Sequence, residues 1–248
     1  DGPHPYTIFQ DNPRDQTMRN LKFVGWLPLL IAGLAALTHA DAPITAEQQA
    51  AFTPQVVLDE LMAGNARFVS GQSTERDLTA RIVQSAAGQS PKAVILSCLD
   101  SRVPVEKVFD VSIGDIFVGR NAGNVSNADQ LGSIEFATAV AGAKLVMVLG
   151  HTSCGAVAGA IAGAELGNLT QLLSKIRPAV NAVEGYLAKE RTSDNSDFVN
   201  AVADRNVAQT ITRIRTDSSV LAELENNGDI LIVGAGYDLQ TGRVILLQ

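Results

Sequence analysis

The sequence predicts one α/β domain with a central, mostly parallel sheet of four strands plus an edge strand, flanked by helices. Short apolar runs bounded by polar or glycine residues have the composition of buried parallel strands. Segments with helical spacing separate these runs, and such alternation is typical of a parallel sheet with crossover helices. Residues 41–248 contain no internal repeat, domain-scale linker or low-complexity tract, so we predict a single domain over that range.

In the first half of this domain, turn and capping residues separate the predicted elements. A polar lead occupies residues 42–51. Thr53 and Pro54 then provide an N-cap and a proline at the first helical position, a common start for a helix. The elements predicted here are, in order, a helix over 54–70, a helix over 78–87, a strand over 92–97, a helical turn over 105–109 and a strand over 115–118.

In the second half, small residues dominate the segment 154–164, which suits a helix packed closely on a sheet. Asn227 and Gly228 end a short helix and introduce the fourth strand. The elements predicted here are, in order, a helix over 129–141, a strand over 144–149, helices over 154–164, 169–187, 198–214 and 219–225, a strand over 229–234, and an edge strand over 243–247 that could run antiparallel.

The composition favours a globular protein and argues against one class of partner. Hydrophobic residues make up 46% of the 248 residues and charged residues 18%, which is ample for a substantial core. The formal net charge is −7. Nucleic acid is therefore not expected as a partner, because its phosphates need a basic surface.

The N-terminal residues have the pattern of an export signal. A basic segment, 18–22, precedes an apolar run, 23–37, and Ala40 offers a small residue for cleavage. We expect residues 18–40 to be a signal peptide that leads to the bacterial periplasm, with no membrane contact after cleavage. An uncleaved anchor is the alternative, although the run is short for a membrane span. Residues 1–17 show no periodicity, and we expect an unstructured extension upstream of the natural start.

Two polar clusters follow two of the predicted strands. Cys98, Asp100 and Arg102 come after the first strand, and His151 and Cys154 come after the third. Because the carboxyl ends of parallel strands meet at one edge of a sheet, we expect these side chains to share a crevice. Apart from two histidines in the segment expected to be removed, the chain has no other cysteine or histidine.

Two thiols and one imidazole are ligand types that zinc prefers. Three protein ligands leave a fourth tetrahedral position for water, which is typical of a catalytic zinc site. The wide separation of Cys98 from His151 and Cys154 differs from the close ligand pairs of structural sites. Two alternatives remain open at this point. One is a disulfide between the two cysteines in an oxidising compartment, and the other is a zinc-binding or redox-responsive module without catalysis.

Asp100 and Arg102 are two residues apart and would share one face of an extended segment. An arginine fork can hold a carboxylate through two parallel hydrogen bonds. Such a pair would keep Asp100 off the metal and oriented toward zinc-bound water. This pattern favours catalysis, because zinc storage needs no orienting pair.

These motifs, with two others, resemble those of the β-class carbonic anhydrases. The series is Cys-Leu-Asp-Ser-Arg at 98–102, Arg-Asn-Ala-Gly-Asn at 120–124, Gly-Ser-Ile-Glu-Phe-Ala at 132–137 and Gly-His-Thr-Ser-Cys-Gly at 150–155. The resemblance covers roughly residues 54–246 in order. It implies a lyase that hydrates CO2 reversibly to bicarbonate and a proton, by attack of zinc-bound hydroxide. It also implies that Cys98, His151 and Cys154 bind one Zn²⁺ per chain, with Asp100 and Arg102 as the catalytic pair.

The same resemblance implies a substrate pocket and an oligomer. Gln89 would donate a hydrogen bond to bicarbonate, near the seam between two subunits. Phe117 and Ala122 would line an apolar CO2 pocket, and Gly155 would offer a backbone N–H beside the metal. Phe136 stands where many plant-type members have a tyrosine, so that the pocket would lack a hydroxyl. A homodimer or a larger homo-oligomer is expected on the same grounds.

Three points follow for the chemistry. Ile95 stands where members with a regulatory bicarbonate pocket have a tryptophan, so we expect water on the zinc at neutral pH. After removal of the signal peptide, His151 is the remaining histidine, so buffer or a carboxylate must carry the proton away. Hydrolysis of CS2 or COS on the same zinc site is an alternative enzymatic activity.

Overall fold

The structure is a computed structural model that describes residues 42–247. The predicted extension over 1–17 and the predicted signal peptide over 18–40 lie outside the described residues. Residues 42–247 belong to one compact unit. Within this range, none of the helices is both long enough and apolar enough to cross a bilayer.

A five-stranded sheet forms the centre of the domain, in the order β2-β1-β3-β4-β5. Strands β1 to β4 are parallel, and β5 pairs antiparallel with β4 at one edge. The predicted fold class is therefore confirmed. The strands are β1 (Ala93–Cys98), β2 (Ile116–Asn121), β3 (Leu145–His151), β4 (Leu231–Tyr237) and β5 (Val244–Leu247).

Helices cover both faces of the sheet, and most of them lie where helical spacing predicted them. They are α1 (Ala46–Ala51), α2 (Pro54–Val69), α3 (Leu78–Ser85), α4 (Val105–Val108), α5 (Ala128–Glu135), α6 (Gly155–Ala162), α7 (Gly167–Ser174), α8 (Arg177–Ala182), α9 (Ser196–Asp217) and α10 (Ser219–Asn226). Short 3₁₀ turns occupy Ala122–Asn124 and Ala188–Glu190, and a π turn, Phe136–Val140, continues α5.

Strand alternation divides the core between the two faces of the sheet. On one face, Ile95 and its neighbours pack against apolar residues of α2 and α4, such as Leu61 and Val108. On the other face, Leu96 packs among residues that include Ile214 of α9. The strands β1 and β3 are buried along their whole length, which explains their continuous apolar runs.

Three element predictions were wrong in detail. The polar lead contains helix α1, because Thr45 forms a capping box with Gln48 and the buried Gln49 amide donates to the Pro91 and Ala141 carbonyls. The helix predicted over 169–187 is two helices, α7 and α8.

That helix breaks because a proline follows the first segment. Pro178 has no N–H to donate to the carbonyl four residues earlier, so α7 ends at Ser174 and α8 begins at Arg177. The second strand also extends past its predicted end at Val118. Its backbone remains paired with β1 as far as the Cys98–Asn121 register, even though Arg120 and Asn121 are polar.

Two glycines let α9 approach the sheet closely. A Cβ on Gly150 of β3 would lie 2.7 Å from Val207 of α9, and a Cβ on Gly234 of β4 would lie 2.7 Å from the same side chain. The helix therefore packs directly on the backbone of two neighbouring strands. Gly150 immediately precedes His151, so this contact fixes α9 next to the predicted metal site.

A buried carboxylate joins three segments on the opposite side of the sheet. Asp110 accepts from Arg67 Nε at 2.6 Å and from Arg76 Nη1 at 2.6 Å, and the Thr74 N–H and hydroxyl add two more bonds. Burial raises the pKa of Asp110, but Arg76, Arg67 and Thr74 together lower it to about 2. Its backbone φ of 47° is a conformation that Asp and Asn tolerate better than most residues.

We expect Asp110→Asn to destabilise the domain by about 2 kcal/mol, because asparagine keeps the backbone conformation but removes the negative charge to which Arg67 and Arg76 donate. The folded pKa of Asp110 lies below the ordinary value of 3.8, so its contribution is present above pH 4 and is lost as the pH falls toward 2. Urea unfolding against pH measures this contribution. Asp59→Asn, at an exposed position of α2, is the matched control. Equal stability of the two variants at pH 7 would contradict the prediction.

Candidate metal centre

The three predicted zinc ligands meet at the carboxyl edge of the sheet. Cys98 is the last residue of β1, His151 is the last residue of β3, and Cys154 caps the N-terminus of α6. All three side chains are buried, and their ligand atoms lie within 4.8 Å of one another. The two sequence clusters are therefore brought together as predicted.

The donor atoms fit a zinc ion. Nδ1 of His151 lies 2.9 Å from the Thr152 carbonyl oxygen, which assigns the ring proton to Nδ1 and leaves the Nε2 lone pair available. Nε2 is buried and finds no hydrogen-bond partner among the described residues. The sulfurs of Cys98 and Cys154 are 3.9 Å apart. Two sulfurs bound to one tetrahedral zinc at about 2.3 Å would be about 3.8 Å apart.

The same distance bears on the disulfide alternative. Both cysteines are free, and 3.9 Å is nearly twice the length of an S–S bond, which is about 2.05 Å. A hydrogen bond from Cys154, together with the Gly123 N–H at 3.3 Å, lowers the pKa of Cys98 to about 4. The hydrogen bond to Cys98 and burial raise the pKa of Cys154. Cys98 is therefore the more acidic of the two thiols, and a bound metal cation would displace the protons from both sulfurs.

Asp100 and Arg102 form the predicted pair beside these ligands. Arg102 donates from Nε to Asp100 Oδ1 at 2.9 Å and from Nη2 to Oδ2 at 2.8 Å, and its backbone N–H also reaches Oδ1 at 2.9 Å. These bonds hold the pKa of Asp100 well below its usual range. Oδ2 lies 3.9 Å from His151 Nε2. An ionised carboxylate therefore stands next to the ligand cluster, engaged by arginine rather than by a ligand side chain.

Comparison with known proteins agrees with this geometry. The family model described as carbonic anhydrase matches residues 93–244, which is more than half of the chain. The chain belongs to the β-class carbonic anhydrase family. It is 39% identical over 197 residues to carbonic anhydrase 2 of Mycobacterium tuberculosis, a match that covers 78% of this chain and 92% of the relative. It is 36% identical over 197 residues to a carbonic anhydrase of Mycolicibacterium smegmatis, covering 78% and 93% of the two chains.

A solved structure shows the same relationship at the level of the fold. The crystal structure of the β-carbonic anhydrase CafA of Aspergillus fumigatus is similar to this chain, with a TM-score of 0.62 and 28% sequence identity. The match covers 77% of this chain and 91% of that chain. The β-class carbonic anhydrases use zinc, and the Cys-His-Cys cluster of this chain could bind one metal ion. The two findings therefore agree.

Sequence reasoning missed Arg120 as a residue of this carbonic anhydrase site. Its Nε donates to the Cys98 carbonyl at 3.0 Å, and its Nη2 donates to the Asp100 carbonyl at 2.6 Å. Arg120 thus holds the backbone on both sides of Leu99, between the first metal ligand and the acidic residue. The donor-rich segment 119–124 was the available signal, but the sequence alone did not show which donor would be used.

Two of the predicted substrate-pocket residues lie at the metal centre. Gly155 directly follows Cys154 and is exposed, and a Cβ placed on it would meet nothing within 4 Å. Ala122 precedes Gly123, whose N–H reaches the Cys98 sulfur. Gly155 therefore leaves open space next to Cys154.

The other three predicted pocket residues lie away from the predicted zinc ligands within one chain. Gln89 is exposed and precedes the amino end of β1, whereas Cys98 ends that strand. The six residues of β1 alone separate the two ends by about 16 Å. Phe117 and Phe136 make an edge-to-face contact at 6.2 Å and line a cavity of about 780 Å³ between β1, β2 and α5. None of the three predicted zinc ligands lines that cavity.

Proposed function

We propose that this chain catalyses the zinc-dependent, reversible hydration of CO2 to bicarbonate and a proton. The observation that carries the proposal is the convergence of the Cys98, Cys154 and His151 donor atoms within 4.8 Å, with Nε2 of the imidazole buried and unpartnered among the described residues. Membership of the β-class carbonic anhydrases supports the same reaction. Three protein ligands leave the fourth position that a catalytic zinc needs.

A bound zinc ion would act as a Lewis acid and lower the pKa of its water ligand to about 7. That value is established for a carbonic anhydrase with three histidine ligands. Asp100 acts at the open side of the ligand cluster as a fixed hydrogen-bond acceptor. Its low pKa keeps it ionised at neutral pH, so it orients a donor and does not itself exchange protons there. Arg102 holds the carboxylate by both oxygens and limits its rotation.

The proton must leave without a second imidazole. His151 is the one histidine in residues 42–247, and its role as ligand occupies Nε2. We propose that buffer or a surface carboxylate accepts the proton, which makes the rate of hydration depend on buffer concentration.

Stopped-flow measurement of CO2 hydration with a pH indicator tests the proposed function. We expect a rate proportional to bound zinc, its loss after treatment with a chelator, and its return when zinc is added back. Assays with CS2 and COS on the same sample test the alternative reaction. Fully zinc-loaded protein that hydrates CO2 no faster than buffer would overturn the proposal.

We further propose that the complete substrate pocket forms between two copies of this chain. Gln89, Phe117 and Phe136 lie away from the metal of their own chain, so they can serve a site only if a second copy brings them to it. The domain also exposes several large apolar side chains that a second copy could cover. Among them, Ile82 is 58% exposed, Val83 is 73% exposed and Phe136 is 52% exposed.

Mixing two inactive variants tests this arrangement. If Gln89 of one chain serves the metal site of its partner, a dimer of one Gln89→Ala chain and one Asp100→Asn chain contains one intact site. Random exchange of subunits in an equal mixture should then give about a quarter of wild-type activity. Light scattering should show at least a dimer. A mixture no more active than the average of its two components would place both residues in one chain's site, contrary to the proposal.

We also propose that the protein is exported to the bacterial periplasm. The basic segment 18–22, the apolar run that follows it and the small residue Ala40 support this proposal. N-terminal sequencing of the mature protein from a periplasmic fraction should begin at or close to Asp41. Recovery of the full-length chain from the cytoplasm would contradict it.

A further inference from the structure

Helix α9 reaches both metal-bearing segments through two asparagine side chains. Asn206 Nδ2 donates to the Gly123 carbonyl at 2.7 Å, and Asn200 Oδ1 accepts from the Ser153 N–H at 2.8 Å. Gly123 belongs to the turn beside Cys98, and Ser153 lies between His151 and Cys154. We propose that Asn206 and Asn200 are positioning residues of the metal centre, which act through these two backbone segments and touch no ligand themselves.

The first contact is made to the same residue that donates a hydrogen bond to the Cys98 sulfur. The Gly123 N–H donates to Cys98 Sγ at 3.3 Å. Gly123 has φ 74° and ψ 22°, and the following residue, Asn124, has φ 44°. Glycine adopts this conformation without steric cost and asparagine tolerates it, so the turn can form, but its backbone has few local constraints and depends on outside contacts to hold one orientation. Asn206 supplies such a contact at the peptide that follows Gly123, and so restrains the residue whose own N–H meets the sulfur.

The burial of Asn206 argues for a specific role rather than general packing. The side chain is 1% exposed, and its Oδ1 finds no hydrogen-bond partner among the described residues. An unpaired buried amide oxygen costs stability, so an apolar residue at this position would serve packing alone better. Asn206 lies beside Val207, which packs on Gly150 immediately before His151. The bond to Gly123 thus links the Cys98 side of the centre to the helix that braces the His151 side.

The second contact holds the loop between the other two ligands. Ser153 has φ 54°, a left-handed conformation that a residue with a side chain adopts at a cost. The Ser153 N–H donates to the Asn200 side chain and not to a backbone carbonyl of a helical turn. Asn200 therefore stabilises the backbone that sets the spacing of His151 and Cys154.

The inference rests on the proposed zinc site, and its test reads the metal directly and not CO2 turnover. Zinc release to a chromophoric chelator is compared among folded variants. Asn206→Asp, which cannot donate to the Gly123 carbonyl, should release zinc about tenfold faster than the wild type. In the cobalt-substituted protein, the sulfur-to-cobalt charge-transfer band should move to longer wavelength, because the thiolate loses hydrogen-bond support.

Two further variants separate positioning from folding. Thr210→Val, one turn along α9, removes a buried hydroxyl that has no partner among the described residues, and it should leave zinc release unchanged. Asn200 is only partly buried. Asn200→Ala should accelerate release, whereas Asn200→Asp, which keeps the acceptor, should restore the wild-type rate.

Some results would overturn the inference while leaving the proposed function intact. These are wild-type zinc release and an unmoved charge-transfer band in Asn206→Asp, equal acceleration in Thr210→Val, or equal release by the two Asn200 variants. Conversely, the expected metal behaviour in a protein that does not hydrate CO2 would refute the proposed function alone.

Discussion

Cys154→Ser is expected to remove zinc and reduce CO2 hydration to the background rate. Serine is a good N-cap, so α6 should still begin at Gly155. Its hydroxyl is a much poorer zinc ligand than a thiolate, and the remaining Cys98 and His151 cannot hold the ion firmly. The loss should exceed the 10- to 100-fold that removal of an outer hydrogen-bond partner typically causes. Metal analysis and stopped-flow hydration of the same sample measure both effects.

The matched comparison is Cys98→Ser, alone and combined with Cys154→Ser. Because each single change already disables the same centre, the double variant should be no worse than either one. Circular dichroism should show that all three proteins keep their helices. Stoichiometric zinc and substantial activity in Cys154→Ser would mean that another residue supplies the third ligand.

Asp100→Asn is expected to keep zinc but to lose activity by a factor of order 10². The amide has the same shape, but it replaces an ionised acceptor with a neutral group and weakens the grip of Arg102. Because the pKa of Asp100 lies well below its usual range, the loss should persist at every pH from 6 to 9. Zinc content, measured on the same preparation, separates this effect from metal loss.

Two neighbouring changes serve as controls for Asp100→Asn. Ser101→Ala alters the exposed residue between Asp100 and Arg102 and should retain wild-type activity. Arg102→Lys keeps the positive charge but loses the two parallel hydrogen bonds of the guanidinium group. Its activity should therefore lie between those of the wild type and Asp100→Asn. Full activity of zinc-loaded Asp100→Asn would remove the pair from the mechanism.

The sheet and the metal ligands could be predicted from sequence because their signals are local. The apolar runs of β1 and β3 are continuous, since both strands are buried on two faces, and polar residues appear where each strand ends. Parallel strands then bring Cys98 and His151 to one edge without further information. The pair Asp100 and Arg102 also lies within a single short segment.

Features that depend on distant partners could not be predicted in the same way. The helix α1 depends partly on the buried amide of Gln49, which bonds to segments about 40 and 90 residues away. The roles of Arg120 and Asn206 depend on strand register and helix placement. Gln89 and Phe117 are pocket residues predicted from the family resemblance, and within one chain neither lies next to the predicted zinc ligands.

X-ray absorption at the zinc K edge of the purified protein tests the ligand set most directly. The structure predicts two sulfur atoms at about 2.3 Å and two lighter atoms at about 2.0–2.1 Å, from His151 and one water. One sulfur or none, or a fully protein-ligated ion with no water, would contradict the central claim that Cys98, Cys154 and His151 hold a zinc with one open position.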